Sequence, residues 1–142
     1  MKISAKADYA CRALFELALH WPNETPLQVS EIATRQKIPI KFLIHILISL
    51  KQIGLVKSVR GKKGGYILAK PPAEIKLNDL MSSFGGEAGS NGQNTALIPS
   101  TNIMAVIWQE VDTAIAKITK SISFEDICNR AHVKGKTFQY DI

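Results

Sequence analysis

The chain has 142 residues, is 46% hydrophobic and 21% charged, and carries a formal net charge of +6. This length and balance are typical of a globular protein with a modest core, and they exclude disordered, collagen-like and low-complexity chains. No apolar run approaches the roughly 20 residues of a membrane-crossing helix, and two cysteines are too few for a disulfide framework. We therefore expect a cytoplasmic protein with no membrane association.

Helical spacing of apolar residues predicts three helices in the first part of the chain. Ser4 is the candidate cap of the first helix, whose apolar side is expected to include Trp21. A short second helix is predicted over about 28–36. A third helix over about 40–53 is expected to stop at Gly54, because glycine readily adopts the left-handed conformation that ends helices.

After the third helix the apolar period changes from 3.6 to 2, which predicts a β-hairpin. Strands at 55–59 and 66–68 flank a turn of glycines and lysines at 61–65. A further short helix is predicted to follow and to end near Phe84. Residues 85–98 differ in kind, because glycine and small polar residues predominate there, and we interpret them as a flexible, sensor-type loop.

A long helix is predicted from Pro99 to about residue 121, with Ser100 or Thr101 as its cap. Ser123 and Asp126 then form a capping-box motif, with aspartate in place of glutamate. This motif predicts a last short helix.

The order of these elements predicts a mainly α fold with a small β-hairpin. We expect a winged helix-turn-helix domain over 1–84, followed by the loop at 85–98. A dimerisation helix and the final short helix occupy 99–131, and a loose polar tail occupies 132–142.

Positive charge is concentrated in the predicted winged-helix region. Residues 1–86 hold 13 basic and 6 acidic side chains, whereas residues 87–142 hold 5 and 6. No acidic residue occurs between Glu31 and Glu74. A one-sided field of this kind attracts a polyanion, so we expect double-stranded DNA as partner, with a merely solvated basic face as the alternative.

The third helix is the predicted reader of DNA. A helix is narrow enough to enter the major groove, and the preceding helix braces it across the backbone. Its buried side is expected to comprise Leu43, Ile46, Leu47 and Leu50. The hairpin brings three cations within four residues, on a glycine-rich tip that lets the backbone approach a phosphate closely. The candidate DNA-binding residues are Gln28, Lys41, Phe42, Ile44, His45, Arg60, Lys62, Lys63, Gly64 and Gly65.

Apolar residues step by four and three along the predicted long helix, with neighbours that widen the stripe. The stripe is too wide for packing against one small domain alone. We interpret it as shared between its own domain and a second copy, since a two-fold dimer reads a palindrome; an ordinary core helix is the alternative. The candidate dimerisation residues are Ile103, Met104, Ile107, Trp108, Val111, Ile115 and Ile118.

Catalysis and metal binding find little support in the sequence. The three histidines are scattered, and neither a nucleophile motif, a nucleotide-binding P-loop nor a zinc-ligand spacing occurs. Cys11 and Cys128 are interpreted as buried packing residues. We therefore predict that the protein is not an enzyme and binds no metal.

Several motifs occur together in the first half of the chain: MKISAKADYA at the start, SEIA at 30–33, and GLVKSVRG at 54–61 followed by GGY at 64–66. They resemble the IscR/NsrR/CymR family of bacterial winged-helix transcription regulators, and the resemblance covers nearly the whole chain. It implies a homodimer joined through the long helix. It also implies that Arg60 reaches the minor groove and that residues early in the third helix contact bases.

Many members of that family hold an iron–sulfur cluster through three regularly spaced cysteines before the long helix. The corresponding positions here, counted back from Trp108, are Ser90, Ala96 and Asn102, none of which supplies a thiolate. Asp8 stands where some members supply a carboxylate ligand, and we interpret it as a charge that complements its helix start. We expect no cofactor, and whether the cysteines were lost naturally or replaced stays open.

The predicted reader also departs from the family, which commonly has glutamate where this chain has Ile44. An isoleucine contacts a thymine methyl but cannot hydrogen-bond a base edge, whereas His45 can. We predict a sequence-specific, dimeric transcription regulator, most simply a repressor, on a palindromic operator unlike the best-known ones. The alternatives are a regulator that acts mainly through a protein partner and an iron–sulfur sensor whose cysteines were replaced; a small-molecule or protein effector is left open.

Overall fold

The computed structural model describes residues 3–22, 25–85 and 102–141, the last range with side chains through Lys134. These ranges hold six α-helices, a 3-10 turn and one two-stranded sheet, which confirms the mainly α fold with a small hairpin. Within them, no helix is both long and apolar enough to span a membrane. In chain order the elements are α1 (Ala5–Leu19), α2 (Val29–Gln36), α3 (Ile40–Gln52), β1 (Val56–Val59), β2 (Gly65–Leu68), the 3-10 turn (Pro72–Glu74), α4 (Leu77–Phe84), α5 (Ile103–Ser121) and α6 (Phe124–Asp141).

Helix α1 begins at the cap that the sequence predicts. The Ser4 hydroxyl accepts a hydrogen bond from the Ala7 amide at 3.1 Å, which confirms the predicted cap. The helix ends at Leu19, so Trp21 lies beyond it and the helical period no longer fixes where its side chain points. Trp21 is 40% exposed, so the expectation that it belongs to the apolar side of this helix is wrong.

The core forms where α1 and α3 pack together with α4, the hairpin and the start of α6. Helix α1 contributes a side of small residues, which allows its neighbours to approach closely. Helix α3 contributes the predicted aliphatic side, and all four of its members are buried: Leu43, Ile46, Leu47 and Leu50. Phe124 and Cys128 of α6 belong to the same core.

The hairpin is held both by its own ladder and by a bridge to the segment before α2. Strands β1 and β2 are antiparallel, with Val56 opposite Leu68 and Val59 opposite Gly65. The Tyr66 amide donates to the Leu27 carbonyl at 2.8 Å, and the Leu27 amide donates back to the Tyr66 carbonyl at 3.0 Å. The hairpin therefore has a defined position relative to α2.

Helix α5 begins at Ile103, not at Pro99, and Asn102 is its cap. The Asn102 side-chain oxygen accepts from the Met104 amide at 3.0 Å, and asparagine is among the strongest cap residues. The prediction of Ser100 or Thr101 as cap is therefore wrong. Those two residues, Pro99 and all of the predicted loop 85–98 except Gly85 lie outside the described residues.

Helix α6 begins at the predicted capping box and continues further than expected. The Ser123 hydroxyl accepts from the Asp126 amide at 3.1 Å, and the Asp126 carboxylate accepts from the Ser123 amide at 3.0 Å. The helix then runs to Asp141, so the predicted end near Ala131 and the loose tail over 132–142 are wrong. The extension contains no proline, and its one glycine costs a helix only about 1 kcal/mol.

Candidate nucleic-acid interface

The outer side of α3 carries all four of its predicted DNA-contacting side chains. Helical geometry places Lys41, Ile44 and His45 away from the aliphatic side that packs into the core, since residues three and four apart share a face, while Phe42 lies toward α1. Each of the four is exposed: Lys41, Phe42, Ile44 and His45. Phe42 is 61% exposed, and its ring centroid lies 6.5 Å from that of Tyr9 on α1. The first two turns of α3 thus face outward.

The tip of the hairpin, which we call the wing, is shaped by glycine. Gly61 has φ +116° and Gly65 has φ +150°, a region that side-chain-bearing residues rarely adopt. A Cβ on Gly64 would collide with the Val59 carbonyl oxygen, and one on Gly65 with that of Leu27. The tight turn leaves the side chains of Arg60, Lys62 and Lys63 exposed, while Gly64 is buried and Gly65 half-buried. The two glycines shape the wing rather than present a surface.

Two hydrogen bonds connect the wing and its strands to the helices. The Gln28 amide group, at the start of α2, donates to the Lys62 carbonyl at 3.4 Å. The Lys51 ammonium, near the end of α3, donates to the Ser58 hydroxyl of β1 at 2.8 Å. Gln28 is exposed and therefore remains accessible to a partner, but its side chain also supports the tip.

The cations of α3 and the wing are not neutralised by described acids. The ion pairs of the described residues involve Arg12 and Arg35, on α1 and α2: Arg12 contacts Asp8 at 3.3 Å, while Arg35 contacts Glu16 at 3.7 Å and Glu31 at 3.8 Å. Lys41, Arg60, Lys62 and Lys63 form no ion pair with a described acid. Their charges remain available to phosphates, which are strong acceptors for ammonium and guanidinium groups.

Helix α5 presents a second exposed face, and that face is apolar. Ala105 and Thr119 are buried, with the Thr119 hydroxyl 3.4 Å from the Asn78 side-chain oxygen of α4. Six of the seven predicted dimerisation residues are exposed and Ile115 is half-buried; the six are Ile103, Met104, Ile107, Trp108, Val111 and Ile118. The helix thus meets its own domain along an edge of small residues and leaves the large ones uncovered.

The positions aligned with cluster ligands offer no soft donor set. Ser90 and Ala96 lie outside the described residues, and Asn102 uses its side-chain oxygen as the cap of α5. Burial, with a smaller effect of the Asp8 charge, raises the pKa of the Cys11 thiol to about 11. Burial also raises the pKa of the Cys128 thiol. Over 3–22, 25–85 and 102–141, no three His, Cys, Asp or Glu residues cluster as a metal site would require.

The sequence reasoning missed two exposed residues of α3, Ile40 and Ile48. They stand four positions before and after Ile44, and all three are exposed. That spacing places them on neighbouring turns of one side of the helix. The regular spacing of three isoleucines was the signal in the sequence that could have identified them.

Comparison with known proteins places this geometry among transcription regulators. A family model described as Rrf2, iron-dependent transcriptional regulator, matches residues 3–130. The chain is 30% identical over 142 residues to the HTH-type transcriptional regulator IscR of Photorhabdus laumondii, covering 94% of this chain and 82% of that one. It is also 42% identical over 86 residues to an rrf2-like HTH-type regulator of Rhodobacter capsulatus, a match over 59% of this chain and 57% of the relative.

Solved structures agree with these relatives. The structure of IscR from T. potens superposes with a TM-score of 0.79 at 34% identity, covering 92% of this chain and 88% of that one. The structure of CymR, described as the global cysteine regulator of B. subtilis, gives a TM-score of 0.79 at 26% identity, covering 92% and 98%.

Proposed function

The chain belongs to the Rrf2 family of transcriptional regulators, and from this premise we propose that it is a repressor that binds a palindromic operator as a homodimer. It is a DNA-binding transcription regulator rather than an enzyme. Beyond family membership, the proposal specifies that the protein is a homodimer, that its operator is palindromic and that it represses transcription. Its place of action is the cytoplasm, where a bacterial regulator meets its operator.

One observation carries the proposal: α3 is hydrogen-bonded to the hairpin that carries the cationic wing, and the charged side chains of both are exposed. The Lys51–Ser58 hydrogen bond connects α3 to the hairpin at 2.8 Å. In the proposed complex α3 lies in the major groove, where His45 hydrogen-bonds a base edge and Lys41 contacts the backbone. The wing's lysines, Lys62 and Lys63, contact neighbouring phosphates, and Arg60 enters the minor groove.

The apolar face of α5 supports a homodimer. Large exposed side chains such as Trp108, which is 53% exposed, gain free energy when a partner removes them from water. A second copy supplies the same face, so a two-fold contact covers both at once. Two reading heads related by that symmetry require two inverted half-sites, which is a palindrome. A dimer seated on a promoter excludes other proteins from it, which makes repression the simplest outcome.

We propose further that this chain regulates without an iron–sulfur cluster, although the family description is iron-dependent. Clusters are held mainly by thiolates, and the whole sequence contains two cysteines. Burial raises the pKa of both thiols, and Asn102 is engaged as a helix cap. Anaerobic reconstitution with iron and sulfide is expected to yield no stoichiometric cluster, as measured by metal and sulfide analysis and by visible absorption. Stoichiometric iron and sulfide would contradict this.

Selection of bound duplexes from a random library tests the main proposal. We expect one enriched palindrome with a fixed half-site spacing. Since several phosphates are contacted, the affinity for it should fall about 10³-fold or more between 50 and 200 mM salt. Enrichment of no sequence, or a single unpaired half-site bound by a monomer, would contradict the proposal. Retention of a protein partner without salt-dependent DNA binding would favour regulation through that partner instead.

A further inference from the structure

Three isoleucines form a continuous apolar ridge along the outer side of α3. Ile40, Ile44 and Ile48 are four residues apart and are 48%, 43% and 44% exposed. Side chains at this spacing lie one above another on successive turns. At 1.5 Å per residue the ridge extends about 12 Å along the helix. We call these three residues the isoleucine ridge.

The core of the protein does not account for the isoleucine ridge. Helix α3 meets the core through a different side, that of Leu43 and Leu50, which are fully buried. Phe42 belongs to neither set, because it lies toward Tyr9 of α1. A contiguous row of large apolar side chains exposed to water is typical of a surface that contacts a partner.

Hydrogen-bonding side chains are few on the same surface. In the first two turns of α3 the exposed polar side chains are Lys41 and His45, and a lysine mostly serves phosphates. Major-groove recognition by hydrogen bonds relies on residues such as arginine, asparagine and glutamine, which are absent from positions 40–50. The apolar contact is therefore the larger part of what this surface offers to bases.

We propose that the isoleucine ridge reads thymine 5-methyl groups in the major groove, so that the operator half-site carries thymines beneath it. The inference rests on the proposed function and adds the chemistry of the bases that are read. The thymine methyl is the apolar group that base edges display in this groove. A ridge of about 12 Å spans roughly three to four steps of 3.4 Å along one strand.

Charge favours a duplex over a protein as the occupant of the isoleucine ridge. The segment between Glu31 and Glu74, which includes all of α3 and the wing, contains no acidic residue. Lys41 and His45 lie beside the isoleucines on the same helix, and Lys51 connects this helix to the hairpin. A uniformly basic rim around an apolar row complements phosphates on either side of a groove floor that carries methyl groups.

Substitution of deoxyuridine for thymine tests the inference, because it removes only the methyl group. In the selected operator, each thymine is replaced in turn and the affinity of the full-length protein is measured. We expect about a three- to fivefold loss at each thymine beneath the ridge, which corresponds to one buried methyl, and no loss elsewhere. In Ile44→Ala the loss at the thymine that Ile44 contacts should vanish, and Ile48→Ala should act on a different thymine.

Ile53→Ala is the matched control. Ile53 is 43% exposed, like Ile44, but follows the last residue of α3 and lies outside the isoleucine ridge. It should retain every deoxyuridine effect, and circular dichroism verifies that all variants are folded.

Three results would overturn the inference. The first is equal affinity for the thymine and deoxyuridine operators, the second a selected half-site without thymine, and the third an Ile44→Ala variant that keeps every deoxyuridine effect. In each case the protein still binds DNA, so the proposed function survives. Failure to bind any duplex at low salt would instead end the proposed function and the inference together.

Discussion

Helices α3 and α5 both expose large apolar side chains, but their charged surroundings differ. In the segment that includes α3 and the wing, every charged residue is basic. Along α5 the exposed charges are mixed, with Glu110 as well as Lys117 and Lys120. An apolar face in a positive field complements DNA, whereas an apolar face in a nearly neutral field complements a copy of itself.

Exposed apolar area alone therefore does not identify a partner. Phe42 and Trp108 are comparably exposed, at 61% and 53%. The neighbouring charges and the elements that hold each helix decide the assignment. Helix α3 is fixed in a core and hydrogen-bonded to the hairpin that carries the cationic wing, while α5 touches its own domain through small residues and leaves its large ones exposed.

Removal of the wing's charge should produce the largest effect. The triple variant Arg60→Ala/Lys62→Ala/Lys63→Ala removes the side chains that we propose bind the minor groove and two phosphates, so operator affinity should fall about 10³-fold at 50 mM salt. The dependence of affinity on salt should also become shallower, by about one in slope for each phosphate-binding side chain removed. Fluorescence anisotropy across a salt series measures both.

The matched control removes exposed positive charge from α5 instead of from the wing. Lys117→Ala/Lys120→Ala removes two exposed cations from α5 and should leave the operator affinity and its salt slope nearly unchanged. If the wing variant bound the operator normally, or if both variants bound it equally weakly, the assignment of the two faces would be wrong.

Truncation of Trp108 should affect assembly first and DNA binding second. A tryptophan at the centre of an interface contributes about 2–4 kcal/mol and each subunit of a two-fold dimer supplies one, so Trp108→Ala should raise the dimer dissociation constant by about three to six orders of magnitude. Analytical ultracentrifugation should detect monomers at low micromolar concentration. Thr113→Ala, an exposed polar position two residues after Val111, is the control and should remain dimeric. A monomeric wild type with full operator affinity would remove the role given to α5.

Local sequence signals predicted the elements around α3 well. The cap at Ser4, the aliphatic side of α3 and the Ser123–Asp126 box depend on residues within one or two turns, and the structure confirms all three. The stop near Gly54 is confirmed as well, since that glycine has φ +82°. Short-range patterns predict such features because the energies involved are short-range.

The errors arose where helix ends or distant packing decide the outcome. Trp21 follows the period of α1 but lies past its end, so the pattern wrongly counted it on the apolar side of that helix. Proline at position 99 suggested a helix start that Asn102 provides instead. The roles of Ile40 and Ile48 depend on which side of α3 the core leaves open, which is known only once the other elements are in place.

His45 tests whether α3 reads bases by hydrogen bonds as well as by apolar contacts. In the first two turns of α3, the exposed side chains that can hydrogen-bond a base edge are those of Lys41 and His45. His45→Ala should reduce discrimination at one base pair of the half-site by about 1–3 kcal/mol, because it removes a directional hydrogen bond. Non-specific DNA binding should stay nearly constant. Competition between the operator and single-base variants measures the change, and an unaltered preference at every position would contradict the proposed hydrogen bond.

The capping box of α6 is expected to contribute to the stability of the fold but not to operator affinity. Next to it, the Leu77 amide donates to the Ile122 carbonyl and the Phe124 amide to the Ile75 carbonyl, both at 2.9 Å, which ties the end of α5 to the winged-helix core. Ser123→Ala removes the cap and should lower the free energy of unfolding by about 1 kcal/mol at pH 7, with operator affinity preserved while the protein is folded. Urea unfolding measures the first and anisotropy the second.

The same box has a pH dependence of known sign. Hydrogen bonds from the Ser123 amide and hydroxyl hold the pKa of Asp126 below its ordinary value. Because the folded pKa is lowered, the stabilisation is complete above the pKa of the unfolded state, about 3.9, and is lost as pH falls through the folded value. Asp126→Asn should therefore be less stable than the wild type at pH 7 and approach it as the pH falls through the folded pKa of Asp126. A gap that stayed constant from pH 7 to acid would mean that the charge of the Asp126 carboxylate does not contribute to the stability of the protein.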